Sequence, residues 1–145
     1  MDWNGLTEQI IGLAIKVHRT LGPGLLESAY ERALMVEFQR HGIKAESQVL
    51  IPIIYEGVEI DPAFRADLVV EDQVILELKS VKQLDDSVYK QLLTYLRLSG
   101  RKLGLVINFH EELLKNGIKR VINGFLSPSD SPCPSVTSVR ENFLS

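Results

Sequence analysis

The stretch Arg65-Ala66-Asp67-Leu68-Val69-Val70-Glu71-Asp72-Gln73-Val74-Ile75-Leu76-Glu77-Leu78-Lys79-Ser80-Val81 decides the fold. Two β-rich runs flank the turn signal Glu71-Asp72-Gln73, so the stretch reads as a hairpin. Its second run is apolar on both faces, with Ile75 and Val81 on one and Leu76 and Leu78 on the other. A strand of that kind belongs in the middle of a sheet covered by helices. Glu77 and Lys79 break the pattern. Side chains two apart on a strand share a face, so this acid and this base point the same way, and the hairpin brings Asp67 alongside Glu77. Charges in such a place are costly unless they are paired or bound to a metal ion.

Upstream, Val49 to Tyr55 is β-rich and Glu56-Gly57 marks a turn before a strand that starts near Val58. Further back, Leu6, Ile10, Leu13, Ala14, Val17 and Leu21 recur at helical spacing, with Thr7 as a capping residue. Gly22-Pro23-Gly24 breaks that helix, because Gly permits a left-handed exit and Pro cannot continue it. A second helix is expected from Leu25 to His41, with Leu26, Ala29, Tyr30, Ala33 and Leu34 inward and Gly42 as its stop. Downstream, Asp85-Asp86-Ser87 opens a third helix that Gly100 ends. Lys102 to Asn108 reads as a buried strand, Glu111 to Lys115 as a helical turn and Ile118 to Ile122 as a short strand. The order is ααβββαβ and a minor β, an α/β chain with a mixed central sheet flanked by helices. Residues 1–126 are expected to form the one domain, and the Ser/Pro-rich residues 127–145 a disordered tail.

The 145 residues suffice for one hydrophobic core and are too few for two. Sixteen basic against nineteen acidic side chains leave a net charge of −3, which argues against a general nucleic-acid coat. An acidic site flanked by a local basic strip stays open, and Lys79, Lys82, Lys90, Arg97, Arg101, Lys102, Lys119 and Arg120 are its candidates. Cys133 is the sole cysteine, so an internal disulfide is excluded and the cytoplasm is the expected compartment. No apolar run approaches the roughly 18 residues that span a bilayer, and no membrane association is expected. A glycine-rich phosphate loop is absent, which leaves ATP hydrolysis without support.

Two carboxylates about 4 Å apart repel by roughly 4 kcal/mol at an effective dielectric near 20. A proton, a lysine or a divalent cation must relieve that repulsion. Carboxylate oxygens with waters and a phosphate suit Mg²⁺ or Mn²⁺, which polarises a phosphodiester and activates a bound water, while a lysine orients that water. The residues alone leave a structural acid–lysine pair equally open.

The run from Asp67 through Glu77-Leu78-Lys79 resembles the D…(D/E)xK hairpin of the PD-(D/E)xK nuclease superfamily. Gly24-Leu25-Leu26-Glu27-Ser28-Ala29-Tyr30 is similar to the motif that names its GxxExxY family, as are Val17 to Gly24 and Gly104 to Phe109. The resemblance implies a restriction-endonuclease-like core and metal-dependent cleavage of DNA, or of RNA. It implies Asp67, Glu77 and the Leu78 carbonyl as metal ligands, Lys79 as the residue acting on the water, and Glu27 as a further catalytic carboxylate. Tyr30 shares a helix side with Glu27 and is a candidate substrate contact or, equally, a core residue. Gln91 and Tyr95 resemble the QxxxY pair with which RecB-like nucleases hold substrate, although Val88 stands where a His is common. His18 resembles a metal ligand of some RecB-like relatives, and is equally well placed against a helix dipole. The partner implied is nucleic acid, chiefly DNA, with a homodimer or a protein partner compatible. The rival reading is a non-catalytic nucleic-acid-binding or protein-interaction module that keeps the nuclease fold.

Overall fold

A computed structural model describes residues 3–124 and 137–140, with side chains described for 4–60 and 64–124. The first apolar stripe forms helix α1 (Trp3–Leu21), which buries Leu6, Ile10, Leu13, Ala14 and Val17. Thr7 lies within this helix, fully buried, and does not cap it; Leu21 is exposed. Helix α2 (Glu27–Arg40) buries Tyr30, Leu34 and Phe38. It starts later than expected, because Leu26 is extended and 74% exposed outside the helix.

Strands β1 (Ala45–Tyr55) and β2 (Val58–Val70) make a long antiparallel hairpin around Glu56-Gly57, both of which take positive φ. That is the turn geometry that matches the twist of paired strands. Strand β3 (Val74–Lys79) returns antiparallel to β2 after Glu71 and Asp72, also left-handed. Helix α3 (Ser87–Ser99) then crosses to β4 (Leu103–Asn108), which lies parallel to β3. A 3₁₀ turn (Leu114–Gly117) leads to β5 (Ile118–Ile122), antiparallel to β4. The expected tail lies outside the described residues except for β6 (Thr137–Arg140), which pairs in parallel with β5. The result is a six-stranded mixed sheet in the order β1 to β6.

Both faces of the central strands are covered, as their double-sided apolar pattern requires. Helices α1 and α2 pack on Leu68, Val70, Leu76, Leu78, Leu105 and Ile107. Helix α3 sets Leu92, Leu93 and Leu96 on the other face, against Val69, Ile75, Val106 and Val121. Gly104 permits this close approach, since a Cβ there would meet Leu92 Cδ2 at 2.9 Å. Strand β3 stops at Lys79, before Val81, which is exposed. The side chain of Asn108 takes over at that point: its Oδ1 accepts from Val81 N–H and its Nδ2 donates to Val81 C=O. Among the described residues, no helix is long and apolar enough to cross a membrane.

Candidate active site at the fork of β2 and β3

Strands β2 and β3 pair from Val70↔Val74 to Leu68↔Leu76 and then part. On its other side β3 stays paired with β4 as far as Lys79↔Asn108. Asp67 stands at the fork. Its Oδ2 accepts the Leu78 N–H at 2.8 Å, so a carboxylate replaces the missing strand partner. An extended residue presents its N–H and C=O to the same neighbour, so the Leu78 carbonyl also faces the fork.

Glu77 projects at the same place. Its carboxyl is pushed up to about 8, first by burial, then by the charge of Asp67 and also by a side-chain hydrogen bond with it; Lys79 and a bond from the Asp67 backbone pull the other way. Glu77 Oε1 is buried and has no hydrogen-bond partner among the described residues. Tyr95 of α3 is 9% exposed, and its hydroxyl is pushed up to about 12 by burial and then by the Glu77 charge. It therefore stays protonated at neutral pH, with its ring stacked on Phe64 of β2. Asp67, Glu77, Lys79 and Tyr95 are thus gathered in one electrostatically coupled group.

A further acid reaches this group that the sequence reading did not single out. Glu31 of α2 is raised above the usual carboxylate range, mainly by burial, with the charge of Asp67 contributing and a bond from Gln48 opposing. That bond runs from Gln48 Nε2 to Glu31 Oε1 at 2.7 Å. Gln48 sits between the pairs Ser47↔Leu68 and Val49↔Ala66, opposite Asp67, and has φ 53°. A non-glycine residue held there costs on the order of 1–3 kcal/mol and persists only where its surroundings hold it. Glu31 lies one turn beyond Glu27 on the same helix side, which is the signal that could have found it; nothing in the sequence marks Gln48.

The other candidates lie elsewhere or are otherwise engaged. Glu27 is half-buried in the first turn of α2, one turn before Glu31 on the same helix side. Tyr30 is fully buried, stacks on Phe109, and uses its hydroxyl to donate to Gly22 C=O and accept from Leu25 N–H. It buckles the Gly-Pro-Gly corner and offers nothing to a substrate. His18 is 7% exposed with its Nε2 bonded to the Glu111 carbonyl at 2.7 Å, so that nitrogen is already engaged. Gln91, one turn before Tyr95, is exposed on α3. The basic strip is shorter than the sequence implied: Arg101 pairs with Asp72 and Arg120 is 1% exposed in the interior.

Among the described residues, no group of three or more acidic, histidine or cysteine side chains stands ready as a metal cage. The fork offers instead the Asp67–Glu77 pair and the Leu78 carbonyl. Such a set fits an ion that keeps several waters and takes one or two carboxylates plus substrate oxygens. The partnerless Glu77 Oε1 is the atom such an ion would satisfy.

Residues 4–121 match the family model of the PD-(D/E)XK nuclease superfamily. The chain belongs to that superfamily. No curated protein and no solved structure matches it. The mixed sheet and its helices fit the restriction-endonuclease-like fold. PD-(D/E)XK proteins are nucleases that generally use divalent metals, so membership assigns this chain to nuclease chemistry on nucleic acid.

Proposed function

We propose that this chain, a member of the GxxExxY family within the superfamily, hydrolyses phosphodiester bonds in DNA, or in RNA, with Mg²⁺ or Mn²⁺. Asp67, Glu77 and the Leu78 carbonyl would hold the ion, which supplies Lewis acidity and an activated water when bound. The observation that carries the reading is the buried, partnerless Glu77 Oε1 beside a second carboxyl. A purely structural acid–lysine pair would satisfy that oxygen with the lysine, and Lys79 makes no hydrogen bond to it among the described residues.

The chain's own residues divide the remaining work. Lys79 follows Glu77 by two on the same strand face, where its ammonium orients the attacking water and offsets charge on the phosphate. Tyr95, protonated throughout the neutral range, donates a hydrogen bond towards Glu77 or a phosphate oxygen. Gln91 stands where it can meet the strand. Glu27 supplies the helix carboxylate that motif spacing assigns to it, and Glu31, steadied by Gln48, adds a second acid one turn further on. Titration of the full chain with Mn²⁺, in parallel with a cleavage assay on labelled DNA and RNA, tests the proposal. Saturable ion binding that Asp67→Asn weakens, with cleavage lost in the same variant, is the expected result. Ion-independent nucleic-acid binding without cleavage would leave a binding module on a nuclease fold.

A further inference from the structure

A second polar cavity opens at the carboxyl ends of the parallel strands β3 and β4. Its volume is about 260 Å³, and Lys82, Gln83, Tyr89, Asn108, Asn116 and Lys119 line most of it. Registered residues on neighbouring strands share a face, and Glu77, Val106 and Lys119 form one row across β3, β4 and β5. Two strand spacings therefore put the Lys119 backbone roughly 10 Å from that of Glu77, on the side that α3 covers. Asn108 at the end of β4 and Lys119 at the start of β5 both line the cavity.

The cavity is cationic on balance. The Lys119 ammonium lies 4.6 Å from the centroid of the Tyr89 ring. Neither Lys119 nor Lys82 has a carboxylate within ion-pair distance among the described residues. Two ammonium groups against the one Glu111 carboxylate leave the concavity a net positive charge, which suits an anion. Asn108 forms the floor, fixed by bonds to Val81 N–H, Val81 C=O and His110 N–H. Gly117 closes the wall at a point where any Cβ would collide with the Asn108 carbonyl oxygen. Gln83 and Asn116 each offer a donor and an acceptor, and the Glu111 carboxylate on the rim is a further acceptor.

We propose that this cavity is a second phosphate subsite, which takes a nucleotide flanking the scissile bond. Lys82 and Lys119 hold its phosphate, while the Gln83 and Asn116 carboxamides and Glu111 meet polar edges of its base. The substrate class rests on the nuclease reading, but the cavity itself does not need the metal ion. The lysine contacts to phosphate position the strand, and the contacts of Gln83, Asn116 and Glu111 to base edges are the ones that carry a base preference.

The full chain, isotope-labelled and kept in EDTA, is titrated with single-stranded dT₄ and rU₄ and followed by nuclear magnetic resonance. Shifts centred on the amides of Asn116, Gly117 and Lys119 are expected, with an affinity that falls as salt rises. The double variant Lys82→Gln, Lys119→Gln should bind at least tenfold more weakly. Its salt slope should be shallower by about 1.4, for two lost contacts to a single strand. Lys119→Arg on the Lys82 background should retain binding and so exclude misfolding as the cause. The tighter of the two oligonucleotides identifies the sugar that the subsite accepts. Unchanged affinity and slope in the double variant, or shifts confined to other surfaces, overturn the proposal. Wild-type protein that binds through the two lysines yet never cleaves in Mn²⁺ sinks the nuclease reading and leaves the subsite standing. Cleavage that the double variant performs with unaltered KM does the reverse.

Discussion

Val74, Ile75 and Leu76 form the first half of β3, fully buried and bonded to β2 on one side and β4 on the other. Glu77, Leu78 and Lys79 form the second half and keep only β4. In the first half, strand pairing satisfies the backbone and apolar packing on both faces holds the side chains. In the second half, the Asp67 carboxylate satisfies the Leu78 N–H, and a buried carboxyl is left at about 8. One strand therefore contains a fully paired apolar stretch and a charged stretch open on one side, and the departure of β2 divides them. The lesson is that a side chain can stand in for a strand: where β2 departs, the Asp67 carboxylate takes over the Leu78 N–H and charged residues occupy the unpaired edge.

The sharpest way to break this comparison is to remove a charge from the open half. Asp67→Ala, Glu77→Ala and Lys79→Ala should each lower cleavage by about 10³-fold or more, equivalent to about 4 kcal/mol in the barrier. Lys79→Ala should keep its Mn²⁺ affinity, whereas the two carboxylate variants should lose it in calorimetric titration. Retained activity in Glu77→Ala would mean that the open half is merely a frayed strand.

Truncation in the closed half should act on the fold instead. Leu76→Ala removes a fully buried side chain and should cost about 2–5 kcal/mol in urea denaturation. The small fraction of activity lost should follow the unfolded population only.

A pH series on metal-free protein separates the halves further. Glu77 titrates at about 8 in the folded chain against an ordinary 4.5, so between these values the folded state holds a proton that the unfolded state has released. Stability should therefore fall as pH rises across that window, by up to about 1.4 kcal/mol per pH unit, and level off on either side. Glu77→Gln should flatten the profile and be the more stable protein at pH 8. Asp67→Ala should go the other way, because it strands the Leu78 N–H at a cost of about 1–3 kcal/mol. Since a bound ion must displace the Glu77 proton, Mn²⁺ uptake at pH 7 should release protons, measurable in buffers of different ionisation heat.

The smallest effect is expected at the helix that faces the open half. Gln91 is exposed, so Gln91→Ala should change stability by no more than about 0.5 kcal/mol. If it touches substrate, KM should rise several-fold with Mn²⁺ affinity unaltered. An identical KM would confine the site to the fork and Tyr95.

What the sequence by itself determined is whatever depends on local periodicity. The stripe from Leu6 to Val17 defines a helix, Glu56-Gly57 and Glu71-Asp72 define turns, and a strand apolar on both faces has to be central. Spacing alone also places Glu77 and Lys79 on one face and Asp67 across the hairpin, so the neighbourhood of the two carboxyls was legible. Only the tertiary structure decided where β2 leaves β3, because strand divergence comes from the twist and packing of the sheet and has no residue code. It likewise decided that Glu31 couples to Asp67, since that depends on how α2 lies over the β1–β2 hairpin. The same holds for Tyr30, whose helical position matched a contact residue but whose burial against Phe109 made it structural. Gln48 and the Lys82–Lys119 cavity are the furthest from view in the sequence. Each joins residues from separate elements, and their meeting is fixed by the register of the sheet, which only the assembled core enforces.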